Sequence, residues 1–528
     1  MLKSLFSRGP ASDPRRHAVD RLLAALPPAA GPALAATTLV DGTWDNPNYW
    51  ARYSLLRAAL GLRGTEVGLL GQSHAKAVQG TFKRLGARRM VRFTDFFANG
   101  PQMRAEARRR LAQTTDAREI LQWDLDGVPG HDLYDGLLKV QRHAQVRLDH
   151  PAVEDYLTDY LQHVHAVARL LDAVQPDLVV LSHTFSGRSI LGPLAWTAAR
   201  RGIATAVLFG NYGTQRFAKV RRPQDVYDIA DCPRGADLDD IPEAQADALA
   251  AIGRQYLEER LRGRATDIAA QYAFSGAEGP SRDEICTRFG WNPQRPIVAV
   301  YASTWFDAPH SYGMTRFRDF AEWIQATAQV ARAAGHVSWL FRGHPCDAVY
   351  QGITLKEILP VAAEPHVRLC PPEWTGGAVQ HACDAVVTLQ GTAGVEYAAS
   401  GKAALLADRS WYHDCGFAHL PASRDAYLQA LTRNWWEAID LAKAKRRAQV
   451  FAGWYFCRPS WHEGFLFQDD SRQGELYDVL PRVFEAYPHV LRREIDGLRS
   501  WYQSAAPHYH TFKMRATTAY ALPTTSTT

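Results

Sequence analysis

The chain has no run approaching the ~18 consecutive apolar residues of a membrane-spanning helix. An integral helical membrane protein is therefore not expected. Its seven cysteines are odd in number and form no C-x-x-C pair. At least one cannot pair within the chain, and they read as small buried thiols in a reducing cytoplasm. Neither H-E-x-x-H nor G-x-S-x-G occurs, so the zinc-peptidase and α/β-hydrolase motifs are missing. Neither sign of charge dominates. The net charge is +5 and the pI about 8.7, short of a nucleic-acid-binding signature. This mild excess suits a cleft for a phosphorylated ligand, or contact with an anionic membrane surface. No repeat of solenoid period is present.

What is present is ordinary globular material: 528 residues, 46% hydrophobic and 22% charged. Roughly two to four domains of about 150 residues fit that length. Residues 1–36, rich in Ala, Pro and Arg, read as a tail with one short helix. Leu2, Leu5 and Phe6 beside Lys3 and Arg8 offer a weak interfacial anchor but no signal-peptide core. From Thr38 to Gly210, short apolar runs alternate with helical stretches. Leu178–Leu181, a helix over 189–200 and Ile203–Phe209 form a βαβ unit, so 37–275 predicts a doubly wound lobe with a helical insertion over 101–175. Residues 240–275 read as a long surface helix, and 275–280 as a linker. A second α/β lobe spans 281–424, with strands over 296–302, 337–341, 385–389 and 403–407. Phe317, Phe320, Ile324, Ala328 and Ala331 keep helical spacing. Residues 425–510 are helical and aromatic, and 511–528 form a polar, flexible tail.

In open α/β sheets, ligands bind beyond the carboxyl ends of the strands, so residues that end strands carry the functional reading. After the first strand of the second lobe come Ser303 and Thr304, whose hydroxyls can hold phosphate oxygens. Asp307 and His310 follow, spaced to act as acid or base or to orient each other. After the next strand, Arg342 offers a fork of donors for phosphate and His344 can donate or accept. The proline after His344 disfavours direct entry into a helix. Gly391, Thr392, Ala393 and Gly394 open a short helix whose free N–H groups suit an anion. Glu396 in its first turn is placed to accept from ribose hydroxyls. This loop is neither a P-loop nor a G-x-G-x-x-G fingerprint. In the first lobe, His183 and Tyr212 end strands on the opposite side, where an acceptor or sugar would lie. Asp124-Leu125-Asp126 has the form of a metal-binding D-x-D but sits in a helical region, so no metal is expected. The runs Lys219–Arg222 and Lys443–Arg447 read as solvated, or as meeting acidic lipid or a charged acceptor.

Val298–Gly416 resembles bacterial surface-carbohydrate and capsule polysaccharide biosynthesis proteins. The likeness rests on Trp305–Gly313 (WFDAPHSYG), Ser338–Pro345 (SWLFRGHP) and Thr388–Tyr397 (TLQGTAGVEY). Gly401-Lys402 and Tyr412 follow these. Gly127–Tyr134 and the segment around His183 are similar to the same group. The group includes capsule Kdo transferases, which use CMP-linked donors. The resemblance implies a GT-B architecture of two facing Rossmann-like lobes, with C-terminal helices crossing back over the first. It places the donor in the second lobe and the acceptor mostly in the first, with no essential metal. It also implies that Arg342, His344, Gly391, Thr392 and Glu396 bind the donor, with Asp307 and His310 near the reacting centre. Two departures are Arg342 where members often carry Lys, and Ala403 where they often carry Pro.

The expected activity is transfer of a sugar from a nucleotide-sugar to a surface glycan or lipid-linked acceptor, without nucleic acid as partner. The enzyme would be cytoplasmic, with peripheral contact at the inner face of the membrane possible. A sugar-nucleotide 2-epimerase, a non-catalytic subunit of a polysaccharide assembly complex, and glycerophosphate transfer from a CDP-linked donor are the alternatives.

Overall fold

Runs such as Leu178–Leu181 and Ile297–Val300 are apolar at every position, as strands covered on both faces require. The computed structural model describes residues 14–28, 31–43, 46–71, 76–184, 189–211, 214–227, 235–264, 273–274, 279–347, 352–359, 364–457, 481–482, 484–486 and 488–510. The first sheet contains β1 (Thr38–Asp41), β2 (Glu66–Leu70), β3 (Ala87–Arg92), β6 (Leu178–Leu181), β7 (Ala204–Asn211), β8 (Thr214–Val220) and β14 (His508–His510). Its order is β14-β8-β7-β6-β1-β2-β3. Strands β7 to β3 run parallel, while β8 and β14 are added antiparallel. The second sheet is parallel throughout. It contains β9 (Ile297–Tyr301), β10 (Ser338–Arg342), β11 (Val367–Leu369), β12 (Ala385–Thr388) and β13 (Ala403–Leu406), in the order β11-β10-β9-β12-β13.

Counted within each lobe, both parallel cores read 3-2-1-4-5, the Rossmann order. Each reverses direction between its first and fourth strands, and a crevice opens where the order reverses. The switch points are β1/β6 in the first lobe and β9/β12 in the second. The fold is thus GT-B-like, with two Rossmann-like lobes.

Several boundaries differ from the sequence expectation. Helix α1 (Pro14–Ala25), expected in a tail, buries Val19 and Leu22 in the first-lobe core with Leu491, Ile495 and Leu498. Asp124 and Leu125 are not helical. They form β4, paired with β5 (Val128–Pro129), and Asp126 turns the hairpin at φ 52°. Helix α5 (Glu243–Leu261), expected on the surface of the first lobe, packs along α7 (Leu441–Tyr455). It shares a core with Val395 and Ala398 of the second lobe. Gly253 and Gly453 make that close approach possible: a Cβ on either would lie about 2 Å from the opposite backbone. Helix α8 (Pro488–Gln503) and β14 do return to the first lobe, α8 against α2 (Pro47–Leu60) and β14 on β8. In the basic run 219–222, Arg221 and Arg222 are exposed as expected, but Lys219 is buried beneath α8. Among the described residues, no helix is long and apolar enough to cross a membrane.

The insertion binds the lobes together. Helices α3 (Gly130–Gln141) and α4 (Ala152–Val174) share one core with Val298, Trp323 and Trp339 of the second lobe. Tyr134 of α3 donates to Asp319 at 2.9 Å, with both side chains buried. Glycines hold α3 in place. A Cβ on Gly130 would sit 1.8 Å from the Ile120 carbonyl, and one on Gly136 would sit 1.9 Å from the Tyr156 hydroxyl.

Candidate active site

Where α3 meets the loop after β9, Asp135 collects four donors. It accepts from the His310 amide at 3.1 Å, the Ser311 amide at 3.0 Å and the Ser311 hydroxyl at 3.1 Å. The fourth is His310 Nδ1, at 2.6 Å. A carboxylate only accepts, so Nδ1 carries the proton and Nε2 of the neutral ring carries the lone pair. This carboxylate–imidazole pair is an acid–base unit whose tautomer the protein fixes. The loop that carries His310 is tightly wound. Ala308 takes φ 47°, in the left-handed region disfavoured for a residue with a Cβ. The Tyr312, Gly313 and Met314 amides fold back onto the Ala308, His310 and Pro309 carbonyls.

His310 lines a pocket of about 450 Å³ whose walls come from both lobes. His131 of the insertion, with Gln224 and Tyr227 of the first lobe, forms one side, and Tyr312–Thr315 with Arg409, Ser410 and His413 the other. The volume is that of a small-molecule site. The His131 ring stacks on His310 at 5.8 Å. Burial pushes its pKa down to about 4, His310 adding to the effect and Asp135 opposing it. His131 is thus a neutral neighbour at pH 7. The far wall is held by Asp408 at the end of β13, whose buried carboxylate accepts from the Thr315 and Arg316 amides.

Beyond the ends of β9 and β10, Thr304 Oγ1 lies 3.0 Å from His344 Nδ1. The same nitrogen accepts from the Cys346 amide, so the neutral His344 ring carries its proton on Nε2. Burial, and then Arg342, lower His344 to about 4. Asp347 accepts from the His344 amide, while burial lifts its carboxyl to about 7. Asp307 keeps one face to solvent, yet the surrounding walls push its carboxyl above the usual range. Lys139 on α3 opposes that shift and Asp135 adds to it. Lys139 also acts on His183 of the first lobe, which burial lowers to about 4 against the pull of Asp41. The Ser182 hydroxyl joins Asp41 to His183 Nδ1, the latter at 2.9 Å. Lys139 thus lies within electrostatic reach of both Asp307 of the second lobe and His183 of the first.

Other expected residues are turned elsewhere. Glu396 does not face the ligand end of its helix, α6 (Ala393–Ala399). It pairs with Arg260 of α5 at 2.8 Å, both side chains buried. The sequence could not show that α5 lies against α6. Arg342 donates to the Trp374 carbonyl at 2.8 Å and to Cys370 Sγ at 3.3 Å, beside the Tyr301 ring. The room left by Gly391 is taken by the Thr388 hydroxyl and that left by Gly394 by Tyr412. Its hydroxyl donates to the Gly391 carbonyl, and it would lie 2.2 Å from a Cβ on Gly394. The Gly394 and Glu396 amides close onto Gly391 and Thr392, and Ala393 packs with Tyr397 in the core. Ser303 lies half-buried beside Thr304. Lys402 donates to the Gln380, His381 and Cys383 carbonyls, closing a neighbouring helix end. Tyr212 lies outside the described residues. Among the described residues, no group of three His, Cys, Asp or Glu side chains is set to hold a metal ion.

Sequence reading missed Asp135, Lys139, Asp347, Arg409 and His413. Arg409 and His413 follow a strand end and were open to the same rule that found Arg342. Asp135 lies mid-helix, where no local signal marks it.

No family profile and no curated protein sequence matches the chain. Solved structures give distant likenesses. Thermosulfurimonas dismutans KpsC, a beta Kdo 2,4 transferase, is 13% identical over 52% of this chain and 78% of its own, with a TM-score of 0.30. UDP-GlcNAc 2-epimerase from Neisseria meningitidis, bound to UDP-GlcNAc, is 9% identical over 80% and 96%, with a TM-score of 0.25. Anabaena Alr3699/HepE, in complex with UDP and glucose, is 9% identical over 87% and 100%, again at 0.25.

Proposed function

We propose that this protein is a glycosyltransferase, moving a sugar from a nucleotide-sugar onto a glycan or lipid-linked acceptor. The observation that carries this reading is the His310–Asp135 pair, set in a two-lobed pocket beyond the carboxyl ends of parallel strands. In the proposed step, an acceptor hydroxyl gives its proton to His310 Nε2 as its oxygen bonds to the anomeric carbon. The bond from that carbon to the donor phosphate breaks, and the nucleotide leaves with the electron pair. Asp135 stabilises the imidazolium that forms. His183 and Asp307, both within electrostatic reach of Lys139, are proposed to bind acceptor and sugar, with the Thr304–His344 pair beside the sugar rather than the phosphate.

The test screens CMP, UDP, GDP and dTDP for a rise in melting temperature, since a ligand that binds only the folded state stabilises it. Turnover of the matching nucleotide-sugar follows. His310→Ala is expected to keep the thermal shift while kcat falls ~10²–10⁴-fold, the usual contribution of a positioned base. Asp135→Asn is expected to lower kcat with a smaller change in KM. A chain that responds to none of the four nucleotides would not be this enzyme. Release of an epimer without acceptor would replace transfer by isomerisation.

A further inference from the structure

The pocket that holds His310 has an unbalanced wall. Its lining residues include three histidines and Arg409 but no aspartate or glutamate. Arg409 lies three residues beyond the end of β13 and is exposed. Its amide is tied to the buried Asp408 carboxylate at 2.8 Å. Its guanidinium has no ion-pair or hydrogen-bond partner among the described residues. Among the described residues, other cations near this site are engaged by the protein. Arg342 is held by a carbonyl and a thiol, and Arg316 by the Ala407 carbonyl beside Asp408. Arg260 is held by Glu396, and Lys139 acts on Asp307. A fixed backbone, a free fork of N–H donors and a carboxylate-free wall describe an anion site.

We propose that Arg409 grips the phosphate of the nucleotide, so that the donor lies across the end of β13 rather than against Arg342 and the start of α6. This rests on the glycosyltransferase reading above and adds the position of the leaving group to it. The departing phosphate gains negative charge as the sugar bond breaks. A guanidinium on the wall of the pocket that holds His310 would stabilise that charge.

The experiment uses the full chain and whichever of CMP, UDP, GDP and dTDP raises the wild-type melting temperature most. Affinities of that nucleotide and of its unphosphorylated nucleoside are measured by calorimetry for wild type, Arg409→Ala and Arg409→Lys. Arg409→Ala is expected to bind the nucleotide 10- to 100-fold more weakly, on the order of one lost charged hydrogen-bond pair. The nucleoside is expected to bind unchanged, and Arg409→Lys to recover part of the loss. The unliganded melting temperature should not move, because the side chain is exposed. Equal nucleotide affinity in Arg409→Ala and wild type overturns the assignment while the enzymatic reading stands. A wild type that binds none of the four nucleotides overturns both.

Discussion

Glu396 shows how one residue can carry a motif and serve a different end. Its position in a Gly-rich loop reads as ribose recognition, yet its carboxylate lies in a buried pair with Arg260. Removing one partner of such a pair strands the other charge away from water, at a cost of ~3–5 kcal/mol. Glu396→Ala is therefore expected to lower unfolding stability by about that amount in urea titrations. Replacing both partners by apolar residues should cost less than the single change. A single variant with wild-type stability and impaired nucleotide binding would restore the ligand-facing reading. Asp135 is the converse case. It looks like an ordinary helix residue, and only its four donors from a loop 175 residues away reveal its use.

Among elements, the returning C-terminal helix α8 depends on one lysine from another strand. Lys219 of β8 donates at 2.7 Å to the Trp501 and Ser504 carbonyls, and it lies over the Trp501 ring. A helix end leaves its last carbonyls without the next turn's amides, and a cation there is favoured by the negative end of the helix dipole. Burial, with Arg221 nearby, lowers the Lys219 pKa to about 8. Lys219→Met keeps much of the stem and removes the donors. It is expected to cost ~1–3 kcal/mol for the lost charged hydrogen bonds, since the Trp501 carbonyl keeps Ser504 and the Ser504 carbonyl keeps Arg221 as donors. Amide exchange should quicken in 488–503 first. Uniform quickening over both lobes would assign Lys219 to the general core instead. The strands themselves were legible in the sequence, since runs buried on both faces admit little but apolar residues. The edge addition of β14 was not, because His508–His510 carries no apolar pattern and is specified by its pairing with β8.

At the scale of the whole molecule, burial keeps four imidazoles neutral. His131, His163, His183 and His344 are all lowered to about 4. In the unfolded chain each would titrate near 6.5, so between about 6.5 and 4 the unfolded state binds more protons and stability falls on acidification. Asp347, raised to about 7, acts in the opposite sense, because its folded form takes up a proton earlier. For these five groups together the net is about three protons, or ~4 kcal/mol per pH unit near pH 5. Urea unfolding at pH 7, 6 and 5 is expected to show that steep loss. His163→Phe should reduce the slope by about one proton, since His163 packs on Phe93 and Phe97. A flat profile would mean that these rings are solvated.

The sequence by itself determined the two α/β lobes, the strand ends that border the cleft and the position of His310, because burial on both faces of a sheet and turn chemistry are local constraints written in residue type. The tertiary structure alone decided which charges remain free. Arg342 and Glu396 are occupied by a carbonyl and by a helix distant in the chain. Asp135 reaches His310 from the insertion, and Arg409 stays open to the pocket. Pairing of charges across long chain separations depends on how lobes dock, and no local pattern encodes that.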